Sequence, residues 1–169
     1  RNHPARAFHA ADRGDVRATP VLLETANNQA NSALLRASAI SHLSALVPAR
    51  TASYLSLWLS SSDPLIRQAA VEAAGHLPPE QRLPILTPVL EDPVLGVRMI
   101  AAEQLADLPA ANLSTQAERV AALNKEYRKV QSQHLDMPSI LAQLSQFQLA
   151  QGETQAAEAG LLSALQKNP

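Results

Sequence analysis

Apolar residues recur along most of the chain at the three- and four-residue spacing that places them on one face of an α-helix. Stretches of this kind include Val21-Leu22-Leu23, Tyr54 through Leu59, and Ile85 through Leu90. Runs of β-branched residues, which favour strands, are absent. The pattern predicts an almost wholly α-helical chain of about nine or ten helices, with no sheet.

The helical pattern repeats along the chain at a constant period. An apolar residue followed by arginine recurs three times, and a small residue follows it at a fixed distance. The recurring positions are Leu35-Arg36, Ile66-Arg67 and Val97-Arg98, then Ala39, Ala70 and Ala101. A second apolar stretch precedes each arginine. Each unit therefore reads as a helix, a short turn and a second helix.

Helix boundaries follow from capping residues and prolines. Asp63-Pro64 and Asp92-Pro93 predict helix starts, because aspartate accepts hydrogen bonds from unpaired amides and proline suits the first helical position. Asp15 is expected to cap a helix running from about Val16 to Ala26, and Ser114 one from about Thr115 to Leu135. Three prolines inside helical stretches predict kinks: Pro20, Pro84 and Pro88.

The segment Asp63 through Ala73 resembles the second helix of a HEAT repeat, and so does Asp92-Pro93 with the Val97–Ala102 stretch. Leu83 through Leu90 resembles the first helix of that family, including its internal proline. The resemblance implies three units at about residues 15–47, 48–78 and 79–109.

From Met137 to Pro169 the spacing resembles a tetratricopeptide repeat. Gly152 is expected at the turn, and the packed stripe of the second helix comprises Ala157, Leu161, Ala164 and Leu165. The helix at about 115–135 resembles the second half of a preceding repeat. Together the resemblances imply an all-α, right-handed α-solenoid of about three HEAT-like and one and a half tetratricopeptide-like hairpins. Its predicted parts are an N-terminal helix or linker at 1–14, the HEAT-like repeats at 15–109, and a long helix with the tetratricopeptide-like hairpin at 110–169.

Composition narrows the function classes. Ala and Leu supply 57 of the 169 residues, and aromatic residues only 3%. The chain has no cysteine, which excludes a disulfide scaffold, a cysteine zinc site and haem attached through this segment. We therefore expect no cofactor in this segment. No apolar run approaches the roughly 18–20 residues of a membrane span.

Charge is nearly balanced, with 14 basic and 15 acidic residues, but it is unevenly distributed. Residues 1–60 hold six arginines and three acids, whereas residues 61–113 hold three arginines and seven acids. A nucleic-acid partner would require a basic stripe, since phosphate contacts supply most of its affinity. We expect no nucleic-acid binding.

No pattern of catalytic or metal-binding residues emerges. The five histidines are scattered, although His3 and His9 could lie near each other. Ser60-Ser61-Ser62 has no nucleophile-elbow context and reads as a loop leading to Asp63. The five glycines stand apart, so no phosphate-cradling loop is present. The sequence predicts a protein that is not an enzyme, with no catalytic, cofactor-binding or metal-binding residue.

Two interpretations of the arginines at the repeat period remain open. They could form a positive strip for an acidic partner, or bond neighbouring carbonyl groups and hold the repeats in register, the role implied by the HEAT resemblance. Tyr54 and Trp58 likewise fit either core packing or a binding hot spot. The residues predicted to line the concave face and contact a partner are Arg36, Gln68, Glu72, Met99, Glu103, Gln143 and Gln146.

These features favour a non-enzymatic scaffold that binds a protein or peptide. The order of the two repeat types, with the stretch Phe8 through Asp15, resembles the C-terminal part of bacterial exported multi-haem cytochrome c proteins. That resemblance implies the partner-docking tail of a periplasmic redox protein. The alternative is a HEAT-like enzyme of the chromophore lyase or DNA glycosylase type.

Leu161, Leu162 and Leu165 crowd one short helical stretch, which predicts an apolar surface that could pair with a second copy.

Overall fold

The computed structural model describes residues 4–167, without the side chain of Ala110, and every regular element in that part of the chain is helical. The α-helical segments are α1 (Pro4–Asp12), α2 (Thr19–Asn27), α3 (Ala33–Leu46), α4 (Pro48–Thr51), α5 (Leu55–Leu59), α6 (Pro64–Ala74), α7 (Pro79–Leu86), α8 (Leu95–Leu105), α9 (Ala110–Leu113), α10 (Ala117–Gln131), α11 (Pro138–Ala150) and α12 (Thr154–Lys167). The predicted all-α repeat fold is confirmed. The short segments α4 and α9 each continue through a 3-10 turn into the next helix.

The chain divides between residues 104 and 105 into two compact units. The first unit contains α1 and three helical hairpins. In the first hairpin α2 is followed by α3, in the second α4 and α5 are followed by α6, and in the third α7 is followed by α8. The second helices of the hairpins, α3, α6 and α8, start at Ala33, Pro64 and Leu95, and the two intervals between successive starts are equal. Each interval is the same as that from Arg36 to Arg67 and from Arg67 to Arg98. The period read from the sequence is thus the period of the hairpins.

The core of the first unit forms where α3 packs against both α2 and α6, while α6 also packs against α5. The side chains of Leu22, Ile40, Leu43 and Ile66 are fully buried there. Burying an aliphatic side chain of this size contributes about 1.5–3 kcal/mol, so this packing is a main source of stability. Fully buried alanines, of which Ala70 is one, let the helices approach closely.

The caps confirm two predicted helix starts and correct a third. The Asp63 carboxylate accepts a hydrogen bond from the Leu65 amide at 2.9 Å, and Asp15 caps the 3-10 turn that leads into α2. Asp92-Pro93 does not begin α8, which starts two residues later at Leu95. Asp92 Oδ1 still accepts from the Val94 amide, as Asp63 does from Leu65, but the first helical hydrogen bonds of α8 run to the Val94 carbonyl. Both Asp92 oxygens also bond a side chain of the preceding hairpin.

The predicted roles of several other residues are also corrected. Pro20 lies in the first turn of α2, where proline is tolerated, so it does not interrupt that helix. Pro84 does lie inside α7, and Pro88 falls in the 3-10 turn Thr87–Val89 that follows. Ser114 is not a side-chain cap: it adopts φ 47°, and Gln116 precedes α10 without a capping bond.

The second unit is held together around two aromatic rings. Tyr127 of α10 stacks on Phe147 of α11 with 4.3 Å between ring centroids. The guanidinium of Arg128 lies over the Phe147 ring and forms an ion pair with Glu153 at 2.6 Å. The α11 and α12 helices pack closely because Gly160 faces Ser145, whose hydroxyl occupies the space that a Cβ atom at position 160 would need.

The tight turn between α11 and α12 requires Gly152, whose φ of 79° lies in the left-handed region. A Cβ atom there would meet no neighbouring atom, so only backbone strain opposes a side chain. We expect Gly152→Ala to lower the free energy of unfolding by about 1 kcal/mol, and Gly152→Asn by less, since asparagine tolerates this conformation. Urea denaturation of the three proteins tests this; equal stability of wild type and Gly152→Ala would contradict it.

The predicted packed stripe of α12 is half wrong. Ala157 and Ala164 are buried, but Leu161 and Leu165 are 38% and 64% exposed. Leu162 is 54% exposed. The small residues face α11 because the close approach at Gly160 leaves no room for leucine, and the three leucines therefore stay at the surface as an apolar group.

Within residues 4–167, no helix combines the length and the apolar character needed to cross a lipid bilayer.

Candidate functional site

The three arginines at the repeat period have the same structural role. In each hairpin the arginine of the second helix donates to a main-chain carbonyl that precedes that helix. Arg36 Nε bonds the Ala26 oxygen at 2.9 Å, Arg67 Nη1 the Ser61 oxygen at 2.8 Å, and Arg98 Nη1 the Asp92 oxygen at 2.6 Å. Carbonyls at the end of the first helix and in the turn are thereby satisfied. All three arginines thus make the bonds to main-chain carbonyls that the structural interpretation predicts.

Arg67 has a second, buried partner in the next hairpin. Its Nε and Nη2 atoms bond the two Asp92 oxygens at 2.7 and 2.9 Å, and the residues are 9% and 7% exposed. Burial alone would raise the pKa of Asp92. The hydrogen bonds from Arg67 and from the Val94 amide, with the positive charges of Arg67 and Arg98, outweigh burial and lower this pKa. The pair joins the second hairpin to the third.

An open groove lies between the first and second hairpins. Its volume is about 660 Å³, and its walls are the turn before α3, the turn before α6, and the ends of α2 and α5. Arg36 is the basic residue among its lining residues, and Asp63 is the acidic one. The groove is polar at its turns and apolar at Leu57, whose side chain is 61% exposed.

Trp58 lines the inner wall of the groove. Its contacts decide between core packing and a binding hot spot, the two interpretations of Tyr54 and Trp58 left open by the sequence. It is 1% exposed and stacks on Tyr54 with 5.6 Å between centroids. Its indole N–H donates to Asn27 Oδ1 of the first hairpin at 2.9 Å. Trp58 therefore packs between repeats, at the buried side of the groove.

Two asparagines of the groove are fixed in orientation by their bonds. Because an indole N–H only donates, Asn27 must present its oxygen to Trp58 and keep its amide N–H groups for other partners. The Nδ2 atom of Asn31 donates to the Thr25 carbonyl at 3.0 Å, which leaves its oxygen as an acceptor. The groove thus offers donors and an acceptor at defined positions.

The structure distributes the predicted contact residues over both units. Those on the second helices of the hairpins are half-buried or exposed, and those on α11 are exposed in the second unit. The first set comprises Arg36, Gln68, Glu72, Met99 and Glu103, and the second Gln143 and Gln146. Gln68 contributes to packing, because its amide fills the space that a Cβ atom at Gly96 would need. Partial desolvation raises the pKa of the exposed Glu72 carboxyl.

The histidines show no metal-binding arrangement in the described residues, where no group of three His, Cys, Asp or Glu side chains could hold an ion. His3 lies outside those residues. The His42 ring contacts Asp12 of α1 at 3.0 Å and the Ser38 carbonyl at 2.8 Å, and Phe8 packs edge-on against it. These contacts attach α1 to the first hairpin.

The family model for HEAT repeats matches residues 19–106 and 52–123. The chain is a HEAT-repeat protein. The matched residues contain all three hairpins with Arg36, Arg67 and Arg98 of their second helices. No curated protein and no solved structure matches the chain. The HEAT family accounts for the helical-repeat fold, whereas residues 124–169 lie outside the match.

The groove of this HEAT-repeat protein was missed in the sequence because its residues come from turns. The run Ser60-Ser61-Ser62 reads as a plain loop, and Asn27 and Asn31 fall in the longer turn of the first hairpin. The signal that could have found it is the period itself. Residues one repeat period apart occupy equivalent turns. The period therefore predicts that Asn31 and Ser62 lie on the same edge of adjacent hairpins.

Proposed function

We propose that the chain is a non-enzymatic scaffold that binds a protein segment in the groove between its first and second hairpins. The observation that carries this proposal is the open groove of about 660 Å³. Ligand sites combine an apolar surface with a few fixed polar groups. Here the exposed Leu57 supplies the first, while Arg36 and Asn27 supply the second.

A peptide suits the groove better than a small apolar molecule. The lining is mostly polar, and the two turns that form it offer both donors and acceptors to a main chain. The exposed Leu57 side chain, which also lines the groove, provides an apolar contact. Such a ligand needs no cofactor and undergoes no reaction.

Selection of a random peptide library on the immobilised protein tests the proposal. We expect enriched peptides whose affinity falls several-fold in Leu57→Ser, since apolar contact area is lost. Leu149→Ser is the matched control, because Leu149 is 53% exposed but lies on α11 in the other unit. Peptides that bind both variants and the wild type equally would refute binding in the groove.

For the second unit we propose a tetratricopeptide-like hairpin whose apolar group pairs with a second copy of the chain. The α11–α12 pair with Gly152 at its turn and buried alanines on α12 supports the hairpin, and the exposed Leu161, Leu162 and Leu165 support the pairing. We expect Leu162→Glu to abolish self-association seen at about 0.1 mM by ultracentrifugation, because a charge opposes burial of this group. A wild type that is monomeric at this concentration would refute the pairing.

We also propose that the chain serves as the docking part of an exported multi-haem redox protein, located in the periplasm. The support is the resemblance of Phe8 through Asp15, and of the repeat order, to that class of cytochrome. Haem staining and cell fractionation of the protein expressed from its intact gene test this. Absence of covalent haem, or a location outside the periplasm, would refute it.

A further inference from the structure

We infer that the groove recognises a carboxylate, so that the peptide it binds is acidic and places an aspartate or glutamate side chain on Arg36. This inference rests on the proposed peptide binding and names the chemistry of the partner. It follows from a difference between equivalent positions in successive hairpins.

Arg36 and Arg67 occupy the same position of their hairpins, one repeat period apart, yet their guanidinium groups differ in partners. The Arg67 group bonds a main-chain carbonyl and is also held by both oxygens of Asp92. The Arg36 group donates through Nε to the Ala26 carbonyl. Among the described residues, neither of its two terminal nitrogens has a hydrogen-bond or ion-pair partner.

The missing partner can be identified from the repeat. The position equivalent to Asp92, one repeat period earlier, is Ser61, which has no charge. Both Ser61 and Arg36 line the groove. Between the second and third hairpins this position is an aspartate. Between the first and second hairpins it is a serine, which lies beside an open volume of about 660 Å³.

The geometry of Arg36 suits a carboxylate. A guanidinium presents its terminal N–H groups as a planar fork that matches the two oxygens of a carboxylate, and bidentate pairs of this kind are the strongest side-chain hydrogen bonds. The amide N–H groups of Asn27, which its bond to Trp58 leaves unused, add a neutral donor to the same groove.

Asp63 does not cancel the charge of Arg36. Its carboxylate accepts the Leu65 amide at the start of α6, where the partial positive charge of the helix terminus offsets it. Arg36 thus remains the charged group of the groove that lacks compensation. A partner carboxylate would form with Arg36 the kind of pair that Arg67 and Asp92 form within the chain.

Trp58 provides the readout, because it is the single tryptophan of the chain and lines the groove. The probe is a short capped peptide with a central glutamate flanked by leucines, compared with its glutamine counterpart. Binding is followed by the indole N–H signal of Trp58 in nitrogen–proton correlation spectra. We expect the glutamate peptide to bind at least about tenfold more tightly, and the preference to vanish in Arg36→Gln.

Arg50→Gln is the matched control, since Arg50 is exposed on α4 and does not line the groove. It should keep the preference. A second variant, Ser61→Asp, supplies the carboxylate within the chain and should block the glutamate peptide. Far-UV circular dichroism confirms that each variant is folded. If Ser61→Asp is folded and still binds this peptide as the wild type does, the inference is wrong.

The outcomes separate this inference from the proposed function. Equal affinity for the glutamate and glutamine peptides, with Trp58 shifting in both titrations, refutes carboxylate recognition and leaves peptide binding intact. No shift of Trp58 with either probe, together with no enriched library peptide, refutes both. A phosphoserine peptide or a single-stranded DNA that binds more tightly than the glutamate peptide would also refute the inference, because the site would then be one for phosphate.

Discussion

Asp92→Ala is expected to lower the free energy of unfolding by about 3–5 kcal/mol, because it leaves the Arg67 guanidinium buried without its anionic partner. Arg67 is 9% exposed, and the main-chain carbonyls of Ser61 and Ser62 cannot neutralise its charge. Urea denaturation followed by far-UV circular dichroism measures the effect.

Two controls test the explanation. Asp136→Ala removes an exposed carboxylate from the other unit and should change stability by less than about 0.5 kcal/mol. The double variant Arg67→Met with Asp92→Leu removes both charges, and we expect it to be more stable than Asp92→Ala alone. A double variant less stable than the single one would show that the cost comes from lost packing rather than from the unpaired charge.

The same pair gives the protein an acid sensitivity. The pKa of Asp92 in the folded chain lies below its ordinary value of 3.8. The stabilisation it provides is therefore complete above that value and is lost as the pH falls through the lowered pKa. As the pH falls below about 5, the free energy of unfolding should therefore decrease less in Asp92→Ala than in the wild type, because the variant lacks this one carboxylate.

Trp58→Ala is expected to lower the free energy of unfolding by a similar amount, about 3–5 kcal/mol, because it opens a large cavity between the first and second hairpins. It also removes the bond to Asn27 and the stacking on Tyr54. Thermal and urea unfolding followed by circular dichroism measure this, since the variant lacks the tryptophan signal.

Neighbouring and conservative changes should have much smaller effects. Leu57→Ala alters the adjacent residue, which is 61% exposed, and should cost less than about 0.5 kcal/mol. Trp58→Phe keeps an aromatic ring and loses the bond to Asn27, which we expect to cost about 1 kcal/mol beyond the smaller volume. Equal losses in Trp58→Ala and Leu57→Ala would show that Trp58 is not the packing centre of this junction.

The sequence predicted the fold well because the fold repeats a local pattern. The apolar spacing identified the helices, and the repeat period placed the hairpins to the residue, as the starts of α3, α6 and α8 show. The start of α8 was the informative error. Asp92-Pro93 has the local pattern of a helix start, and Asp92 does accept the Val94 amide, but its carboxylate also pairs with Arg67 of the preceding hairpin, a long-range contact that the local pattern does not show.

The candidate site was harder to predict because it depends on contacts between repeats. The pattern identified Arg36 but could not show that this residue would line an open groove while Arg67 would be paired with Asp92. The α12 leucines illustrate a second limit. Periodicity assigned Leu161 and Leu165 to the packed face, but the close approach of Gly160 to Ser145 admits only alanines there.

The two junctions of the array respond to different conditions, since they are held by different forces. The first and second hairpins meet through the apolar contacts of α3 with α6 and a neutral hydrogen bond to Trp58, and apolar contacts weaken on cooling. The second and third hairpins share a buried ion pair, which acid destroys while cooling leaves it charged. We therefore expect acid, which removes this ion pair, to weaken the contact between the second and third hairpins more than that between the first and second.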